Sequence, residues 1–183
     1  CAEKVRFHSS GTEATMMAVR MARAYMGKPK LLKFHDHFHG WHDYVRSHEP
    51  GDGGIPNETA STVISIAPND IGLVERTLQA HSDIAAIIIE PTGAHMGDTP
   101  VRPSFLGELR EVTERYGAVL IFDEVVTGFR SSKGGAQGLY GVTPDICTMA
   151  KILGGGLPGG AVGGKADIID MIQLRDDVEF NKH

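Results

Sequence analysis

Lys151 and Asp123 are the side chains of this sequence best placed to take part in a reaction. Lys151 follows Cys147-Thr148-Met149-Ala150 and precedes Gly154-Gly155-Gly156. Wedged there, a desolvated amine is a competent nucleophile toward a carbonyl, and the glycines leave room for a flat ring to swing. The plainer reading is a solvated surface lysine, as most lysines are. Asp123 ends the apolar run 118–122, where a carboxylate is costly to bury without a cation or hydrogen-bond donors. A protonated ring nitrogen would be such a partner, and the pairing would keep the ring an electron sink. Position alone equally allows an aspartate that caps the next turn or pairs with Arg130. Glu124 should point the other way and serve the structure.

Two further segments carry candidate chemistry. Ser9-Ser10-Gly11-Thr12 precedes a helical pattern, and the free N–H groups and positive dipole end of a helix start make an anion site. Gly11 would let a phosphate approach; the alternative is a simple N-cap by Ser10 or Thr12. The run His35-Asp36-His37-Phe38-His39-Gly40-Trp41-His42-Asp43 suggests a metal, but its histidines have no standard ligand spacing and alternate in x-His-x-His fashion. Its other use is an aromatic platform, with Phe38 stacking on a heteroaromatic ring and His39 beside it.

These residues need elements to hold them. Ala14, Met17, Ala18, Met21, Ala22 and Tyr25 form one apolar helical stripe, ended by Gly27 and Pro29. Residues 5–7, 30–34, 62–66, 85–89, 118–122 and 146–149 read as strands. Asn69 or Asp70 can cap a helix bearing Ile71, Val74 and Leu78; Ser104 can cap another bearing Leu106, Leu109 and Val112, closed by Gly117. Residues 46–60 and 154–160 read as loops, and 134–141 is a glycine-rich segment before the strand at 146–149. Alternating helices and strands give an α/β domain with a mainly parallel sheet. In such sheets ligands bind beyond the carboxyl ends of the strands, where His35, Glu90, Asp123 and Lys151 all fall, so these should converge on one crevice.

The 183 residues suffice for one domain with a buried core, and a net charge of −5 gives no basic field for nucleic acid or an anionic membrane. No apolar run approaches a membrane span. The two cysteines, Cys1 and Cys147, fit a reducing compartment, and a cytoplasmic protein is expected. No signal or transit pattern opens the chain. It begins without Met and stops in mid-pattern at Val178-Glu179-Phe180-Asn181, as a fragment would.

Taken in order, Ser10-Gly11-Thr12-Glu13-Ala14-Thr15, Phe38-His39-Gly40, Glu90-Pro91, Ile121-Phe122-Asp123-Glu124-Val125, Thr127-Gly128-Phe129-Arg130 and Lys151-Ile152-Leu153-Gly154-Gly155-Gly156 resemble the class III pyridoxal 5'-phosphate (PLP)-dependent aminotransferases. The stretch 135–145 is especially similar to their glutamate-1-semialdehyde 2,1-aminomutase branch. The resemblance covers essentially the whole chain. It implies PLP-dependent transferase fold type I, with a three-layer α/β/α large domain built on a seven-stranded, mostly parallel sheet. Residues 1–183 would then be part of that PLP-binding domain, without its N-terminal segment and small C-terminal domain.

By position, Gly11 and Thr12, beside Ser10, would hold the phosphate. Phe38 and Val125 would cover the two faces of the ring, with His39 alongside. Asp123 would bond the ring nitrogen, Lys151 would carry the cofactor as a Schiff base, and Glu90 would stand near the substrate. His95 replaces the asparagine that relatives place near the cofactor's phenolic oxygen; it can donate the same bond, with added pH dependence. The segment 42–61 is shorter than the gating loop of the aminomutases, and family chains are over twice this length. The resemblance further implies a small amino or carbonyl substrate, no metal, and a homodimer with the active site at its interface. Within the same chemistry stand other class III transaminases and racemases. Outside it stands a non-catalytic phosphate- or metal-binding α/β module.

Overall fold

The six apolar residues Ile84–Ile89 and the five residues Val119–Asp123 are buried at every position, as strands flanked by helices on both faces must be. They form the centre of a sheet in the computed structural model, which describes residues 1–94 and 97–172. The first half contains β1 (Lys4–His8), α1 (Gly11–Met26), β2 (Lys30–Phe34), the single turns α2 (Asp43–Arg46) and α3 (Asn57–Ala60), β3 (Val63–Ile66), α4 (Ile71–Ala80) and β4 (Ile84–Ile89). The second half opens with a short pair, β5 (Gly93–Ala94) and β6 (Thr99–Pro100), and α5 (Pro103–Tyr116). β7 (Val119–Asp123), α6 (Gly135–Tyr140), β8 (Ile146–Ala150), a 3-10 turn (Lys151–Gly154), β9 (Gly160–Gly164) and α7 (Ala166–Ile169) complete it, with a last 3-10 turn at Asp170–Ile172. His95 and the segment around Val178 lie outside the described residues.

The seven-stranded sheet has the order β1-β9-β8-β7-β4-β2-β3. β9 is antiparallel to both neighbours, so the other six strands all point the same way. Alternate residues of β4 and β7 feed two cores. Ile87, Ile89, Leu120 and Phe122 pack with Val74 and Leu78 of α4 and Phe105, Leu106 and Leu109 of α5. Ala86, Ile88, Val119 and Ile121 pack with Ala18, Val19 and Ala22 of α1 and Ile168 and Ile169 of α7. The result is the three-layer α/β/α arrangement expected.

Two local expectations are corrected. Tyr25 is exposed and Val19 is buried in its stead, because the Tyr25 hydroxyl donates to Asp167 at the surface. Ser104 is not the cap of α5; Pro103 opens that helix, and the Ser104 hydroxyl instead accepts from Arg102. Within the glycine-rich segment, residues 135–140 form a helix, since the buried Glu124 carboxylate accepts from the Ala136 and Gln137 N–H groups and anchors the helix start. Asp70 caps α4 through Leu73 N.

Candidate active site

Five of the parallel strands deliver chain to one edge of the sheet. β1 runs into Ser9-Ser10 and α1, β2 into the histidine-rich segment, β4 into Glu90, β7 ends on Asp123, and β8 runs into Lys151. A cavity of about 580 Å³ opens between them, a size suited to a small molecule or cofactor. Ser10, Gly11, Thr12, Phe38, His39, Glu90, Asp123, Val125 and Lys151 all line it.

At the start of α1, Ser10 is extended and its Oγ accepts from Glu13 N at 3.2 Å, while the Glu13 carboxylate accepts from Ser9 N at 2.6 Å. Ser10 is therefore a true N-cap. The N–H groups of Gly11 and Thr12, at the first two helical positions, have no acceptor within the helix and border the cavity. A Cβ on Gly11 would stand 3.1 Å from both Val125 methyls, so the glycine also lets Val125 close against the helix. Gly40 has φ +105°, and a Cβ there would fall 2.7 Å from Thr12 Oγ1.

Asp123 is 4% exposed. Oδ1 accepts from Val125 N and Thr148 Oγ1, each at 3.1 Å, and Oδ2 accepts from His39 Nδ1 at 2.7 Å. An ionised carboxylate has about four acceptor sites, so these three donors leave capacity for one more from the cavity. Arg130 takes no part; it is exposed and its Nε donates to Val126 O. Below the His39-Gly40 segment, the Thr15 hydroxyl donates to His39 O at 2.6 Å, and His42 Nε2 lies 3.3 Å from Thr15 Oγ1. Burial, reinforced by His39 and the Arg23 cation, pushes the His42 pKa down to about 4.

Phe38 is 45% exposed and meets Trp41 edge-to-face at 5.5 Å. Glu90 Oε1 accepts from Phe38 N at 2.6 Å. Lys151 departs from its expected surroundings: it is exposed at the cavity wall, because the 3-10 turn lifts it off the end of β8. Its φ of +48° is a left-handed conformation that a non-glycine residue adopts at a cost of about 1–3 kcal/mol, a strain typical of functional sites. Sequence reasoning did not single out Thr15, Trp41 or the Leu157-Pro158-Gly159 stretch, which also line the cavity. The apolar Leu157-Pro158 pair inside a glycine loop was the available signal. Of the histidines, 37 and 39 are buried on either side of the exposed Phe38, while His35 is exposed, breaks the alternation and does not line the cavity. Among the described residues no three His, Cys, Asp or Glu side chains are grouped to hold a metal ion.

A family model described as "Aminotransferase class-III" matches residues 1–178. The glutamate-1-semialdehyde 2,1-aminomutase of Desulfotalea psychrophila is 51% identical over 180 residues, covering 93% of this chain and 42% of that protein. An omega-transaminase structure from Sphaerobacter thermophilus superposes with a TM-score of 0.87 at 42% identity, covering 92% of this chain and 42% of the other. A transaminase with PLP bound superposes at 0.84 with 38% identity, over 92% of this chain and 42% of its own. The chain thus spans somewhat under half the length of such relatives. Motifs, sheet order and family match agree: the chain belongs to the class III aminotransferases.

Proposed function

We propose that this chain is the cofactor-binding part of a PLP-dependent aminotransferase of the glutamate-1-semialdehyde 2,1-aminomutase type. The observation that carries the reading is a buried carboxylate, Asp123, with one acceptor site to spare, in the same cavity as Lys151 and the start of α1. The residues present fit PLP. Gly11 and Thr12 offer N–H donors for a phosphate, Asp123 a partner for a protonated ring nitrogen, and Phe38 and Val125 apolar surface for the ring. Bound there, PLP supplies an aldehyde for amines and a ring that withdraws electrons.

The protein's own part is then positioning and proton transfer. Lys151 Nζ, at the cavity wall, would be the amine that holds the cofactor. Its free amine form would also serve as the base that moves a proton at the substrate carbon bearing the amino group. Asp123, fixed by His39, Thr148 and Val125 N, would favour a protonated ring nitrogen. Val125 and Phe38 keep water from the faces of the ring.

A homodimer in the cytoplasm is part of the proposal. Phe7 and Leu157, 75% and 77% exposed, support a partner surface, and no described helix is long and apolar enough to cross a membrane. Borohydride reduction of the full-length protein with PLP, followed by peptide mapping, should place a phosphopyridoxyl group on Lys151. A reduced protein without that group would refute the reading. The similarity to an omega-transaminase favours one alternative, an intermolecular transaminase. Turnover of glutamate-1-semialdehyde without an added donor, compared with turnover of pyruvate plus an amine, separates the two.

A further inference from the structure

Two hydrogen bonds run in opposite directions between the end of β4 and the segment that follows β2. The Phe38 N–H donates to Glu90 Oε1 at 2.6 Å, and the Glu90 N–H donates to His37 Nδ1 at 3.0 Å. Both accepting side chains in this arrangement are enclosed, Glu90 being 8% exposed and His37 2%. His37 is held further by its ring contacts, 5.8 Å from Phe34 and 6.0 Å from His39. The Phe38 ring, by contrast, is half in solvent, and the ring beside it, Trp41, is 71% exposed.

Side-chain packing therefore does little to hold the Phe38 ring. Its place is set by its backbone, which sits in irregular chain between a strand end and the Gly40 turn. A short bond to a charged acceptor is about twice as strong as a neutral one, and here it grips the backbone N–H of the ring-bearing residue itself. The return bond from Glu90 N to His37 fixes the adjacent residue, so residues 37 and 38 cannot slide together along β4.

We propose that Glu90, paired with His37, is a positioning residue that clamps the Phe38 backbone and so sets where its ring stands in the cavity. The inference rests on the PLP reading for what the ring touches. It assigns Glu90 work on the cofactor platform beyond the substrate-side place implied by the family resemblance.

The test uses the full-length protein and reads two quantities: amide hydrogen exchange at Phe38 without cofactor, and the dissociation constant for PLP. In Glu90→Ala, Phe38 exchange should quicken and PLP affinity should fall, each about tenfold, the scale of one charge-assisted hydrogen bond. Glu90→Gln keeps an acceptor oxygen and should restore most of both. His37→Leu, which leaves Glu90 in place, should show the same two shifts at smaller size and covers the case that Glu90→Ala fails to fold. The double variant Phe38→Ala/Glu90→Ala should bind PLP no more weakly than Phe38→Ala. Wild-type exchange and affinity in Glu90→Ala, or a Glu90 penalty that persists undiminished on the Phe38→Ala background, would overturn the clamp. Should borohydride leave Lys151 unmodified, the cofactor reading is what fails, and Phe38 exchange decides the clamp by itself.

Discussion

Lys33 lies on β2, next to the edge strand β3, its side chain wholly buried, and forms an ion pair with Glu49 in the segment between α2 and α3, whose side chain is 9% exposed. Burial holds the Lys33 pKa below its ordinary 10.5, while the hydrogen bond and charge of Glu49 pull it back up. Glu49→Ala removes that opposing pull. Breaking a buried pair from one side costs about 3–5 kcal/mol. The lysine can instead give up its proton, which from 10.5 down to pH 7 costs about 5 kcal/mol at 1.36 kcal/mol per pH unit. The two routes agree, so a loss of about 3–5 kcal/mol is expected at pH 7.

The pH dependence follows in sign. With the folded pKa below the unfolded one, the unfolded chain binds more protons, and stability rises with pH up to about 10.5. The variant's Lys33 is lower still, so its rise begins at lower pH and the gap to wild type narrows. At pH 9 the proton-release route costs only about 2 kcal/mol, which caps the loss. Urea unfolding of the full-length protein at pH 7 and pH 9 measures both numbers. Replacing Lys33 and Glu49 together by methionine should recover most of the stability. A loss under about 1 kcal/mol at pH 7, the size of an exposed pair, or one unchanged at pH 9, would refute the reasoning.

Asp123→Asn should lower amino transfer roughly a hundredfold or more in single-turnover assays, while borohydride still labels Lys151. Gly11→Ala brings a Cβ to 3.1 Å from both Val125 methyls; an overpacking loss of about 1–3 kcal/mol in thermal melts and weaker PLP binding by titration are expected. His42 is held neutral by burial at a pKa of about 4, below its ordinary 6.5. Its contribution is present above 6.5 and lost as pH falls toward 4, by up to about 3 kcal/mol. His42→Gln should remove that part of the acid sensitivity in urea titrations.

The sequence showed most clearly what depends on local pattern. β4 and β7 announce themselves as unbroken apolar runs, and the polar residues after them could be assigned to one crevice by strand direction alone. β9 could not be seen, because Gly160-Ala161-Val162-Gly163-Gly164 has almost no strand propensity. Its glycines answer to distant neighbours instead: a Cβ on Gly164 would lie 2.5 Å from Asp145 O, and one on Gly160 would lie 2.3 Å from Ser10 O. The helix 135–140 was hidden for the same reason, since its start is held by Glu124 from another part of the chain. At the site, Lys151 and Asp123 stood out by chemistry. Thr15 and Trp41 did not, because a helix-interior threonine and a loop tryptophan carry no signal until the fold brings them to the cavity.

β9 also orders events in time. It places residues 160–164 beside β1, residues 4–8, and sets Gly160 against the carbonyl of Ser10. The wall around the first turn of α1 therefore joins segments separated by about 150 residues of chain, a closure that is slow and entropically costly. On a ribosome, β1 and Ser10 emerge before β9 and must wait, without that neighbour, until nearly all of these intervening residues have been made. A phosphate-bearing ligand can recognise the finished pocket but has no built pocket to bind before then. At the proposed phosphate site, such a ligand would lock the wall around α1 only once β9 is in place.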